Sequence, residues 1–242
     1  FPSRTLTHPP THHAAKMASG VVDDMFINQL VQKPVFPKVK KVRIESGDVL
    51  PHESLFPLLS SIYPNATSYH IGEALSINPQ HISLLLKSVP HIQRLDLSNG
   101  ILLTSVDDIG TCLTGCPCSS LSCLVLNNTE IDDKALISFC DGLKLTQLDL
   151  SECAKITAPC VRTILQNCST LVDLKLDRNS RCINALLDGV GEGAPPTTFS
   201  LTTLSVNFCK FYKTEEEVNS LLHSLLPKLS SLSLKGSTFS NP

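Results

Sequence analysis

Tryptophan is absent from the 242 residues, tyrosine occurs 3 times and methionine 2 times. The aromatic anchors that carry most tight protein interfaces are therefore scarce. Long apolar runs are missing too. No stretch reaches the roughly 18 apolar residues that a bilayer-spanning helix needs, so no membrane partner is expected. Neither sign of charge dominates, with 20 basic and 22 acidic residues and a net charge of −2. That balance lacks the basic footprint of a general nucleic-acid binder, and no nucleic-acid partner is expected. Phosphate-binding Gly-Lys loops, nucleophile elbows and His-Glu-x-x-His pairs do not occur. Gly189-Val-Gly-Glu-Gly193 comes nearest to a phosphate loop, but it follows a helical stretch rather than a strand. It is expected to be a connecting loop. No catalytic residue, cofactor or metal ligand is assigned, and the chain is expected not to be an enzyme.

What is present is a phrase: an apolar residue, two of any kind, an apolar residue, one of any kind, and another apolar residue. It begins at Val39, Ala66, Ile92, Leu121, Leu145, Leu171, Leu201 and Leu229, at spacings of 27, 26, 29, 24, 26, 30 and 28 residues. The second and third apolar residues are two apart, so on a strand they share a face. Eight residues after each start stands a small or turn-forming residue: Gly47, Ala74, Gly100, Thr129, Cys153, Asn179, Cys209 and Ser237. Such side chains bond backbone groups where a chain leaves a strand.

Between the phrases the spacing becomes helical. Ser105–Asp108 and Thr214–Glu217 have the capping-box pattern, and Asn78-Pro79 pairs an N-cap with proline at the first helical position. Asp132, Thr157 and Asn184 are expected to open helices, and Gly142 to close one. Strand, turn and helix at a period of this length predict an α/β leucine-rich repeat solenoid. If its strands stack in parallel, the residues between the core positions form one continuous concave sheet. One unit of this size cannot bury enough to fold alone, so stacking must supply the stability.

The repeats occupy residues 21–242, about eight copies. Residues 1–20 carry three His and three Pro without apolar periodicity and are expected to be a disordered tail, with Met17 a candidate start. The last phrase is followed by few residues and no polar capping unit, so the array is expected to be truncated at that end. No apolar secretory segment stands at the amino end. The 10 cysteines are accordingly expected to be reduced thiols in a cytoplasmic or nuclear protein. Cys140, Cys160 and Cys168 fall on the inner side of helices. Cys112, Cys116, Cys118 and Cys123 lie close enough for a zinc site but lack paired C-x2-C spacing. They are expected to belong to an ordinary loop and strand.

The residues that alternate with the core positions would line the concave face. They make its amino end basic (Lys41, Arg43, Arg94) and its later middle acidic (Asp149, Asp173, Asp177). His70, Asp96, Asn127, Gln147, Lys175 and Asn207 complete the candidate partner-binding set. A charge-graded face suits a protein or peptide of matching pattern.

One stretch carries a more specific likeness. In residues 145–177 a strand is followed by Cys153, then Ile156-Thr157. A helix with Val161, Ile164 and Leu165 comes next, then Asn167-Cys168 and the next strand at Leu171. This resembles the cysteine-containing leucine-rich repeats of F-box proteins, within the ribonuclease-inhibitor-like superfamily. The resemblance implies a right-handed horseshoe, with parallel strands on the concave face and helices on the convex face, and a substrate-recognition part of a ubiquitin ligase receptor, with ligase components among its partners. No F-box pattern precedes the repeats in residues 1–38. The alternative expectation is a repeat segment of an innate-immune sensor or of a cytoskeletal or regulatory scaffold. A zinc protein is the weaker third.

Overall fold

The computed structural model describes residues 14–17, 35–46, 55–71, 79–100, 120–189 and 199–240. Nine parallel strands form one sheet in sequence order. They are β1 (Ala14–Met17), β2 (Lys41–Ser46), β3 (Ser68–Ile71), β4 (Arg94–Asp96), β5 (Cys123–Val125), β6 (Gln147–Asp149), β7 (Asp173–Lys175), β8 (Thr203–Ser205) and β9 (Ser231–Ser233). Among the described residues six helices lie between them: α1 (Leu55–Ile62), α2 (Pro79–Ser88), α3 (Asp133–Cys140), α4 (Ala158–Asn167), α5 (Ser180–Asp188) and α6 (Glu215–Leu225). Every strand pairs only with its sequence neighbours, and so does every helix that packs on another.

The register is the one the apolar phrase predicts. Val42, Tyr69, Leu95, Leu124, Leu148, Leu174, Leu204 and Leu232 stand opposite one another across eight strands. Between β4 and β8 the first and third apolar residues of each phrase are buried as well, from Ile92 and Leu97 to Leu201 and Val206. Each fully buried aliphatic side chain contributes roughly 2 kcal/mol, and those of adjacent phrases meet in one continuous core.

The turn after each strand from β4 to β9 follows a second rule. Asn99, Asn128, Glu152, Arg178 and Phe208 have φ between 53° and 61°, and Gly236 has φ 68°. These are the seventh residues after each phrase start. There the chain swings away from the sheet while the N–H still pairs forward: Asn128 donates to Ser151 O, Glu152 to Asp177 O, Arg178 to Asn207 O and Phe208 to Lys235 O, all at 2.8–2.9 Å. The next position is the turn residue seen in the sequence. Its side chain reaches back to the preceding repeat. Cys153 Sγ donates to Leu126 O at 3.0 Å, Asn179 Nδ2 to Leu150 O at 2.7 Å, Cys209 Sγ to Leu176 O at 3.6 Å and Ser237 Oγ to Val206 O at 2.8 Å. Thr129 Oγ1 donates instead to Leu126 O within its own repeat, at 2.8 Å.

Helix starts follow the sequence in part. Asp132 caps α3, its carboxylate accepting from Ala135 N at 2.9 Å. Gly142, at φ 73°, follows the end of that helix. Thr214 and Glu217 form the capping box of α6. Thr157 precedes α4, but its N–H and hydroxyl both go to the Asp133 carboxylate of the preceding helix. Asn184 does not open a helix. α5 starts four residues earlier, and Asn184 is buried within it, its amide donating to Lys210 O and accepting from Tyr212 N. A cap-forming residue type is here turned inward to hold the neighbouring repeat.

Within the 1–20 segment expected to be disordered, Ala14–Met17 pair with β2 as β1. The remainder of that segment, Asn78, the Ser105–Asp108 capping box and Cys112, Cys116 and Cys118 lie outside the described residues. No helix among the described residues is long and apolar enough to cross a membrane.

Candidate functional site: the strand face

Parallel rungs about 4.8 Å apart bring the alternate residues into rows. In one row Lys41, Ser68, Arg94, Cys123, Gln147, Asp173, Thr203 and Ser231 are register partners. In the other Arg43, His70, Asp96, Val125, Asp149, Lys175, Ser205 and Ser233 are. All nine sequence-assigned residues within β2–β7 therefore occupy the strand face. The structure gathers most of them and leaves others apart. Lys41 and Arg43, both exposed, stand at β2, five rungs or about 24 Å from Asp173.

The gathered residues form fixed polar pairs. His70 Nδ1 lies 3.1 Å from Asp96 Oδ2, and Arg94 Nη2 lies 3.8 Å from the same oxygen. Asp96 also accepts from Ser98 Oγ at 2.6 Å and Ser98 N at 3.2 Å. Burial pushes the Asp96 carboxyl up, but the hydrogen bonds from Ser98 and His70 outweigh it and hold it below its ordinary value. Lys175 Nζ is 3.5 Å from Asp149 Oδ2, and Asp149 accepts from Ser151 N at 3.0 Å. Asp177 accepts from Ser205 Oγ at 2.6 Å and from Asn207 N at 2.8 Å. Asn207 in turn accepts from Ser233 Oγ and from Lys235 N, each at 2.7 Å. Asn127 is half-buried at the start of its turn, its carbonyl accepting from Asn99 N at 2.8 Å.

Cys123 faces this side, as its register requires, yet it is buried. Arg94 Nη1 lies over it and donates to Sγ at 2.7 Å. Burial pushes the Cys123 thiol up, opposed by the Arg94 charge, so it stays protonated at neutral pH. Arg94, Cys123, Gln147, Asp149, Asp173 and Lys175 border a shallow depression of about 50 Å³. That is far below the roughly 300–1,000 Å³ of small-molecule pockets. Asp173 has no cation within ion-pair distance among the described residues. It is the rim's uncommitted charge, because Asp149 and Asp177 are engaged. No three metal-binding side chains converge among the described residues.

The rows alone do not contain the exposed aromatics. Phe208 and Tyr212 are 50% and 68% exposed, and they lie in the turn after β8. Phe208 stands seven residues after a phrase start, and that register is the sequence signal for its place in the turn.

Stacked strand–turn–helix units on one parallel sheet define the protein class: a leucine-rich repeat solenoid. No protein-family model matches the chain, and no curated protein does. Solved structures match it in fold. One, described as the crystal structure of a TLR13–ssRNA13 complex, is 17% identical with a TM-score of 0.47 and covers 84% of this chain. The chain spans about 30% of that protein's length.

Proposed function

We propose that the chain is a non-enzymatic scaffold that holds a protein partner on its strand face. The observation that carries this is the shallow depression between Arg94 and Asp173, where Arg94, Asp149 and Lys175 are already held by their neighbours and Asp173 is left open. Preset polar groups lose little entropy on contact, and a basic end with an acidic middle supports recognition by charge pattern. Asp149, Asp173 and Asp177 oppose a polyphosphate lying along the same rows.

The finer reading is the substrate-recognition part of an F-box-like ubiquitin ligase receptor, acting in the cytoplasm or nucleus. Its support is the cysteine-containing repeat at residues 145–177. Cys153 and Cys209 donate thiol hydrogens to carbonyls of the preceding repeats. Those bonds require reduced sulfur, which suits a reducing compartment.

Asp173→Lys is the test. The substitution reverses the charge on the rim without breaking a bond, whereas reversal at Arg94 would also remove the contacts to Cys123 and Asp96. Affinity capture with tagged wild-type chain, followed by mass spectrometry, is expected to retain a partner that the variant loses at an unchanged melting temperature. Co-capture of a ligase-core adaptor is expected under the finer reading. A partner held equally by both proteins rejects the strand face as the site.

A further inference from the structure

The turn ridge at the carboxyl ends of the strands differs from the strand face. Its geometry places a left-handed residue after each strand from β4 to β9, which Asn99, Asn128 and Gly236 supply at little cost. Three successive repeats instead place Glu152, Arg178 and Phe208 there, with φ of 61°, 61° and 55°. A bulky side chain in this conformation is strained. The backbone requirement does not explain the choice, since asparagine meets it in the two preceding repeats.

The three side chains form a row. Glu152 Oε1 lies 3.5 Å from Arg178 Nε, and Arg178 Cζ lies 5.1 Å from the Phe208 ring centroid, a cation–π contact. Gly236 completes the fit: a Cβ there would come within 2.6 Å of the Phe208 ring. The ring rests against bare backbone and still stays half exposed. Phe208 and Tyr212 are two of the four large apolar residues exposed among the described ones, and they stand four positions apart. Asn184 fixes the intervening backbone through Lys210 O and Tyr212 N. Exposed Lys210 and Lys235 flank the pair, and exposed Arg181 follows Arg178 on α5.

We propose that this ridge is a second contact surface, and that its occupant is an acidic, apolar-bearing segment of a protein partner. Aromatic and guanidinium groups side by side are the chemistry of interface anchors, and the surrounding lysines complement carboxylates. A single-stranded nucleic acid would also stack on Phe208. A polyphosphate running on from the ridge, however, would meet Asp173 and Asp177 on one side and Glu215, Glu216 and Glu217 at the start of α6 on the other. A short acidic segment avoids both. The ridge does not depend on occupancy of the strand face.

The test uses the full chain, a fluorescein-labelled peptide of alternating glutamate and leucine, and labelled oligothymidylate, read by anisotropy at low salt. The ridge variant is Arg178→Asn with Phe208→Asn, which keeps a residue the left-handed turn accepts; Asp173→Lys serves as the strand-face control. The peptide is expected to bind the wild type and Asp173→Lys, and to bind the ridge variant about ten-fold more weakly, with the melting temperature of that variant unchanged or raised. Absence of peptide binding, equal binding by the ridge variant, or loss of binding in Asp173→Lys overturns the proposal. Tighter binding of oligothymidylate than of peptide also overturns it, in favour of a nucleic-acid surface. A melting temperature lowered by several degrees in the ridge variant overturns it too, because the row would then be a structural clamp.

Discussion

Asp96 and Asp149 occupy the same position in two repeats, and each accepts the N–H two residues on, from Ser98 and Ser151. This local bond ties the strand to its turn and leaves the second carboxylate oxygen for a cross-strand partner, His70 or Lys175. Asp96 is the more buried in bonds, and its carboxyl is held below the ordinary value. A depressed carboxyl contributes stability above its unfolded pKa of about 3.9. That contribution is lost as pH falls through the lower folded value. Asp96→Asn is therefore expected to cost on the order of 1 kcal/mol at pH 7, with the gap from wild type narrowing as the pH falls below about 4. Urea melts of both proteins across that range check it. A gap independent of pH would mean that amide and carboxylate differ there by packing alone.

At the scale of elements, the strands and turns were legible because one residue type per position satisfies one physical demand. Leu148 or Leu174 must be apolar to fill the core, and Asn179 or Ser237 must be able to donate across to the previous repeat. Asp132 and Thr214 likewise announce helices by what their side chains accept. Three features were not legible. Asn184 carries a cap-forming side chain but bonds the next repeat from inside a helix, and nothing local distinguishes the two uses. Cys123 alternates outward, yet the length of Arg94 on the adjacent strand covers it. The left-handed turn residues Glu152, Arg178 and Phe208 belong to types with no preference for that conformation, so only their register marks them. The candidate face was thus readable as a row of residues, while its pairing was set by side-chain reach across rungs. The back-bonding ladder sets an expectation of its own. Asn179→Ala removes a donor from the buried Leu150 carbonyl and should cost about 1–3 kcal/mol, whereas Cys209→Ala removes a weaker, 3.6 Å thiol bond and should cost less. Denaturant midpoints of the two variants decide the order, and equal losses would show that the turn position acts by volume and not by donation.

At the scale of the whole molecule, contacts are confined to neighbours, so stability accumulates along the array instead of around a centre. β6 and β7 have a repeat on each side. β9 has a neighbour on one side only among the described residues, and Leu229, Leu232 and Leu234 are only partly buried. Local opening is expected to follow that difference. The amides of Leu150 and Leu176, bonded to Lys175 O and Ser205 O at 2.9 and 2.8 Å, should exchange with deuterium slowest, and those of 231–234 fastest. The gradient also separates the two surfaces, because the depression rimmed by Arg94 and Asp173 spans β4–β7 while the Arg178–Phe208 ridge leans on Gly236, in the turn after the edge strand β9. An acidic peptide seated on the ridge should therefore slow exchange in 231–238 more than in β6, whereas a partner on the strand face alone should slow the centre and leave the edge as it was. Hydrogen exchange followed by mass spectrometry, with and without the peptide, measures both. Uniform protection along the free chain would mean that the repeats open as one cooperative unit, and the edge would then report nothing about where a partner sits.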